Sequence, residues 1–227
     1  MSLGSFPVTD ISVRELPLFA LPDVVLFPQE VLPLHIFESR YRIMLQSVLD
    51  ADSMFGIVRS NPSTKKIESV GCCAQIIKHQ KSEDGRSNIV TLGQQRFRIL
   101  EIIREAPFYV AMVSWIDDGI PDDQDELSRL SESVLLALKD VVSLTGKLTD
   151  SERSLPEGLP TIPRELSFWI ASHLGGPAAD EQQKLLEMLE TTKRLNREYQ
   201  MLDHTRKQLA ARTALKETLS NADKKNN

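Results

Sequence analysis

Short apolar runs recur between turn signals through the first half of the chain. They are Leu16 to Leu21, Val31 to Phe37, Met54 to Arg59, Cys72 to Gln80, Ser87 to Leu92, Arg96 to Arg104 and Tyr109 to Trp115. Alternating or solid apolar runs of this length predict strands, and the intervals are too short for crossover helices. Leu21-Pro22-Asp23, Phe27-Pro28, Ser60-Asn61-Pro62-Ser63, Glu83-Asp84-Gly85-Arg86 and Gly93-Gln94 read as the turns between them. Seven short strands in about 100 residues predict a barrel or sandwich rather than a parallel sheet. One segment changes period: Tyr41, Met44, Leu45, Val48 and Leu49 share a helical face, with Ser39 as N-cap. That helix is expected to plug one end of the barrel.

Strand-like alternation stops at Asp117-Asp118-Gly119-Ile120-Pro121-Asp122-Asp123, where an acidic Gly/Pro stretch is followed by helical spacing. The expected organisation is therefore a β-barrel subdomain over 14–118 and a helical subdomain over 119–219, with flexible termini at 1–13 and 220–227. Helices are predicted around Leu127 to Leu144 and from Arg164 to Leu174, the latter with Leu166, Trp169, Ile170, His173 and Leu174 on one face. A Pro-punctuated loop, Ser154 to Pro163, separates them. After Gly175-Gly176-Pro177 a run from about Asp180 to Leu219 would extend roughly 55 to 60 Å if continuous, a length that usually needs a partner surface. Met188, Leu195, Leu202 and Leu209 recur at heptad spacing, beside a weaker series of Leu185, Thr192, Tyr199 and Arg206. Leu195, Leu202 and Leu209 are the candidate seam for weak self-association or for docking to a larger partner. Arg206 on that seam needs Asp203 or a partner carboxylate beside it.

Composition narrows the class. The 227 residues are 41% hydrophobic and 26% charged, the profile of an ordinary globular protein. The apolar runs fall short of a membrane span, and Met1 to Phe6 lacks the pattern of a signal peptide. A cytoplasmic location with no membrane contact is expected. Net charge is -5, and neither half is basic, which disfavours nucleic acid. Residues 193 to 216 alone carry an excess of Lys and Arg, read as a solvated face or a lure for an acidic partner.

Little of this sequence points to catalysis. Thr145-Gly146-Lys147 lacks the upstream glycine and following Ser or Thr of a phosphate loop and reads as a helix end. Cys72 and Cys73 sit in an apolar strand, where at least one packs inward, and they lack the further ligands zinc needs. His35, His79, His173 and His204 are scattered, with His173 read as a core residue. Glu38, Arg40, Arg96 and Arg98 suggest an ion pair tying helix to barrel. No catalytic residue, metal or cofactor is expected. The aromatic set Phe19, Phe27, Phe37, Phe55, Phe97, Phe108 and Tyr109 is mostly core. Phe27-Pro28 and Phe108-Tyr109, beside prolines, are the candidates for facing a polypeptide.

Several blocks resemble the substrate-binding N-terminal domain of Lon proteases. They are Leu16-Pro17-Leu18-Phe19, Leu21 to Pro28, Leu32-Pro33-Leu34-His35-Ile36-Phe37-Glu38, Arg40-Tyr41-Arg42, Phe55-Gly56-Ile57-Val58, Val70-Gly71-Cys72 and Ile89 to Ile99. In the helical half the blocks are Leu166 to Ala171 and Gln182 to Glu187. The resemblance runs over about residues 14 to 216. It implies an α+β fold: a six-stranded, PUA-like β pseudo-barrel with one inserted helix, followed by an all-α helical subdomain with a long C-terminal helix. It also implies engagement of unfolded or degron-bearing polypeptides by a non-catalytic module, free-standing here without the ATPase and protease domains. Such a module would act as an adaptor or regulator in protein quality control, with a protease or other protein as partner. The alternative is a PUA-like barrel that binds RNA or a small molecule. Gln29 stands where the family often has Gly and Ser39 where it often has Pro, so Gln29 either adopts a positive φ or the turn differs.

Overall fold

The computed structural model describes residues 12–62, 64, 66–173 and 179–225. The expected ends 1–13 and 220–227, together with Ser63, Leu174 and Gly175-Gly176-Pro177, lie partly or wholly outside the described residues. The fold is α+β, with a six-stranded sheet and five helices. The chain divides into two compact units, Met1–Asp117 with Gly175–Glu187, and Asp118–Leu174 with Met188–Asn227.

The sheet unit contains β1 (Val13–Pro22), β2 (Val31–Ile36), β3 (Met54–Ser60), β4 (Val70–Lys81), β5 (Ser87–Arg104) and β6 (Tyr109–Ile116). Their order is β2-β5-β4-β3-β1-β6, and β5 also pairs with β6. Hydrogen bonding therefore closes through β5-β4-β3-β1-β6, with β2 added outside on β5. Six strands replace the seven predicted because the two runs on either side of Gly93-Gln94 are one strand. Gly93 makes no turn. Its N–H donates to the Glu30 carbonyl and its own carbonyl accepts from Gln29, each at 2.8 Å. A Cβ at Gly93 would run into the Phe27 carbonyl, so glycine is required by close approach rather than by a bend. Gln29 takes the costly alternative foreseen from sequence, a φ of 65°.

Two apolar cores fill this unit. In one, Met44, Leu45 and Val48 of α1 (Ser39–Leu49) pack with Phe19, Ile36, Phe55 and Ile89. In the other, Leu16, Leu18, Phe97 and Val113 meet. The helical face is the one predicted, but Glu38 occupies the N-cap and makes no side-chain cap bond; Ser39 is already helical. Cys72 and Cys73 are both buried, one in each core. The pairing with β5 shifts register between Cys72 and Ala74, yet the side chains still alternate, since Ala74 returns to the core of Cys72.

A short helix, α4 (Ala179–Glu187), also belongs to the sheet unit. Arg59 of β3 pairs with Asp180 at 2.6 Å near its start, and Arg96 of β5 donates to the Leu186 carbonyl at 2.7 Å near its end. Gln183 donates to the Val70 carbonyl between them. Arg96 thus anchors α4 and not α1, as its expected pairing with Glu38 would require; Glu38 pairs locally with Arg40 at 2.9 Å.

The helical unit contains α2 (Gln124–Thr149), α3 (Pro163–His173) and α5 (Thr191–Lys225). Asp123 caps α2, accepting from the N–H groups of Asp125 and Glu126. The helical run predicted from 180 to 219 is broken at Met188-Leu189-Glu190. There the Met188 carbonyl accepts from Arg194 and the Leu189 carbonyl from Gly119. Arg206 meets Asp140, and Lys216 meets Asp150, so contacts advance together and α2 and α5 run parallel. Leu127, Val134 and Leu138 of α2 enclose Leu195 and Leu202 of α5, with Leu166 and Ile170 of α3.

Charge is buried beside this core. Arg194 is fully buried and donates to both carboxylate oxygens of Asp118, at 3.2 and 2.5 Å. Its Nε donates to Ser167 Oγ at 2.6 Å, and its guanidinium lies 4.0 Å from the Phe168 ring centroid. Ser167 in turn donates to Glu198 Oε1 at 3.0 Å. Glu198 Oε2 has no hydrogen-bond partner among the described residues, and burial pushes this carboxyl well above the usual carboxylate range against the opposing pull of Arg194.

Candidate functional site

Exposed apolar side chains cluster on and just after β2. Parity along the strand sends Leu32, Leu34 and Ile36 inward to the core and Val31, Pro33 and His35 outward. Val31 is 55% exposed, and Phe37, just past the strand, is 59% exposed. Phe37 stacks against His35 with centroids 6.0 Å apart, which places both rings on the outer surface. The register pairs Val31 with Leu92, Pro33 with Val90 and His35 with Asn88 of β5. Val90 and Leu92 are half-buried, so they extend the apolar strip sideways from β2. His35 Nδ1 lies 2.7 Å from Asn88 Oδ1, a cross-strand link that holds the imidazole beside Phe37.

Among the described residues β2 pairs with β5 alone and is therefore an edge strand. Pro33 in its middle has no N–H to offer, which fits an edge and blunts addition of another continuous strand there. The face can therefore hold apolar side chains of an extended segment better than it can template its backbone. Burying a side chain of leucine or phenylalanine size on such a strip contributes roughly 1.5–3 kcal/mol before association costs.

The residues singled out from sequence are placed differently. Phe27 is fully buried, with its backbone N–H bonded to Glu30 Oε2 at 2.9 Å, and Phe108 is buried in the core with α1. Pro28 and Tyr109 are half-buried, Tyr109 against the second core. Proline neighbours bend the chain at these points, yet each phenylalanine ring turns inward. Phe27 and Phe108 are thus corrected from ligand-facing to core. Leu195 and Leu202 are likewise buried, covered within the unit by α2 and α3, and Leu209 is half-buried. The cover comes from α2, whose 26 residues run beside α5 and are longer than the helix predicted around Leu127 to Leu144. Arg206 bonds Asp203 and Asp140, so no partner carboxylate is needed.

The outward strip was missed although its signal was present. Within the predicted strand Val31 to Phe37, odd positions alternate with the inward even ones, and Phe37 is the aromatic residue on the outward set. His173 is not a core residue: it is exposed, stacked on Trp169 at 4.2 Å with its Nδ1 against Ser172 Oγ and the Trp169 carbonyl. Burial raises the Cys73 thiol to about 11 and Cys72 well above its ordinary value, which leaves both thiols protonated and poor nucleophiles. Among the described residues no cluster of His, Cys, Asp and Glu is placed to hold a metal, and no helix is long and apolar enough to cross a membrane.

The chain is similar to known proteins over most of its length. A family model described as the ATP-dependent protease La (LON) substrate-binding domain matches residues 15–204. Lon protease 2 of Myxococcus xanthus is 26% identical over 197 residues, which are 84% of this chain and 24% of the relative. Lon protease of Trichlorobacter lovleyi is 28% identical over 200 residues, 82% of this chain and 24% of the relative. The chain thus spans about a quarter of the length of the curated relatives it matches. Two solved structures share the fold. The Lon N-terminal domain protein from Xanthomonas campestris has a TM-score of 0.59 at 22% identity, covering 81% of this chain and 96% of that one. The N-terminal domain of Mycobacterium avium complex Lon protease has a TM-score of 0.63 at 16% identity, covering 84% and 98%.

Proposed function

Because this chain belongs to the Lon substrate-binding domain family, we propose that it recognises unfolded or degron-bearing polypeptides through the outer face of β2. The observation that carries this reading is the exposed strip of Val31, Pro33 and Phe37, bordered by Val90 and Leu92, on an edge strand that Pro33 protects from strand addition. Recognition and not chemistry is the contribution of these residues. No phosphate loop of the GxxxxGK[ST] form occurs in the sequence, and the two cysteines are buried and protonated. The module would serve as an adaptor or regulator in protein quality control, handing polypeptides to a protease or other protein partner. Buried free thiols suit a reducing compartment such as the cytoplasm.

The test is fluorescence anisotropy with denatured casein and with a mixed RNA, on the wild type and on a Val31→Ser, Phe37→Ser double variant. Casein binding that falls by about tenfold or more in the variant, with an unchanged melting temperature, supports the assignment. Tighter, salt-sensitive binding of RNA would reverse it in favour of a nucleic-acid module.

A further inference from the structure

A second feature of the sheet unit lies on the opposite side of β5 from that strip. A cleft of about 410 Å3 opens between α1 and the hairpin of β4 and β5. Its lining is aliphatic at Ile43, Leu45 and Leu49 and basic at Arg42 of α1 and at Lys81 of β4, with His79 of β4 beside them. No lining residue is acidic. Arg42 and Lys81 have no carboxylate partner among the described residues, whereas Asp84 in the adjoining turn is occupied by Arg86 at 3.2 Å. His79 is held by its own hydrogen bond, with Nε2 3.1 Å from Ser87 Oγ.

The turn is shaped to leave Arg42 in place. Gly85 has a φ of 80°, its N–H donates to the Ser82 carbonyl, and Ser82 N–H donates to the Arg86 carbonyl. A Cβ on residue 85 would occupy the space of the Arg42 guanidinium. The positive φ calls for glycine, and Arg42, which lines the cleft, passes over the turn with its guanidinium beside Gly85.

We propose that this cleft binds a carboxylate carried next to an apolar side chain, as the C-terminal residue or an internal acidic residue of a polypeptide presents it. The carboxylate would sit between Arg42 and Lys81, and the neighbouring side chain would cover Ile43 and Leu49. A guanidinium gives two parallel donors to a carboxylate and the ammonium adds a point charge, while the aliphatic lining discriminates against a bare inorganic anion. The inference names the substrate chemistry for the polypeptide-recognition reading and rests on it only in taking the ligand to be a polypeptide.

The experiment uses the full chain and three fluorescein-labelled peptides of one apolar sequence: ending in Leu with a free carboxylate, ending in Leu amide, and amidated with an internal Asp beside Leu. The free-acid peptide is expected to bind at least about tenfold more tightly than the amide. Arg42→Met with Lys81→Met should remove that difference while binding of denatured casein through the β2 face persists. If the internal-Asp peptide matches the free acid, any carboxylate serves; if it binds like the amide, chain ends are the source, and either result supports the cleft. Equal binding of acid and amide, or an unaltered preference in the double variant, overturns the proposal and leaves the β2 assignment standing. Displacement of the free-acid peptide by inorganic phosphate more tightly than the peptide itself binds also overturns it. Failure of casein to bind the wild type would sink the β2 assignment alone, since the acid–amide comparison is read independently.

Discussion

The two units place the partners of their buried arginines differently. In the sheet unit Arg59 is buried but its carboxylate partners are not: Arg59 is 6% exposed, while Asp23 and Asp180 are more than half exposed and Glu68 is 31% exposed. Apolar residues of the same unit stand outside on β2. In the helical unit both members of the ion pair are sealed, Arg194 at 0% and Asp118 at 4%, with Glu198 beside them. A charge with one foot in solvent can lose its partner cheaply, whereas a sealed pair cannot. The contrast separates a surface available to a ligand from a network that fixes how helices α2, α3 and α5 fit together.

The sharpest way to break that comparison is to remove one guanidinium from each unit. Arg194→Met should cost about 3–5 kcal/mol in denaturant unfolding, because Asp118 is left buried without its cation. Arg59→Met should cost clearly less, since Asp23 and Asp180 can turn to water. Equal losses would refute the distinction. Next in size is the apolar seam. Leu202→Ala should destabilise by about 2–5 kcal/mol and Leu209→Ala by much less, following their burial. Similar losses, or a change in oligomeric state by light scattering with Leu202→Ala, would mean that the seam faces another chain after all.

A titration sharpens the comparison further. The folded-state value of Glu198 is raised by burial, so the folded protein holds this proton more firmly than the unfolded chain does. Its contribution to stability is complete below the ordinary carboxylate range and is lost as pH rises through the raised folded value. Glu198→Gln should remove that part of the slope, so that the melting temperature of the variant gains on the wild type as pH increases. Parallel curves would show that Glu198 is already ionised when folded. The smallest effect is expected on the outside: Phe37→Ser should change stability by no more than about 0.5 kcal/mol while weakening casein binding.

Much of the architecture is legible in the sequence because its period is. The outward and inward sets of β2 and the buried face of α1 follow from spacing alone. Gly93 was misread as a turn because a glycine required by the close approach of the Phe27 carbonyl looks the same in sequence as one required by a bend. Breakage of the long helix at Met188-Leu189-Glu190 carries no Gly or Pro; it is held by Arg194 and Gly119 bonding the freed carbonyls. Phe27 and Phe108 were misplaced because a neighbouring proline marks a loop but does not say which way the next ring turns. The cleft beside Gly85 needs Arg42 and Lys81 brought together from a helix and a hairpin, which no local pattern reports.

The pairing of β1 with β6 joins Val13 to Ser114, and α4 adds residues 179–187 to the same unit. A chain leaving the ribosome therefore has to keep one edge of β1 waiting while about 100 residues are made; Arg96 waits 90 residues for Leu186, and Arg59 waits longer still for Asp180. Loop closure on that scale makes the sheet a late and slow event in biogenesis, during which its strand edges stay open. The sheet unit thus passes through a long unfinished state before any face of it can be presented.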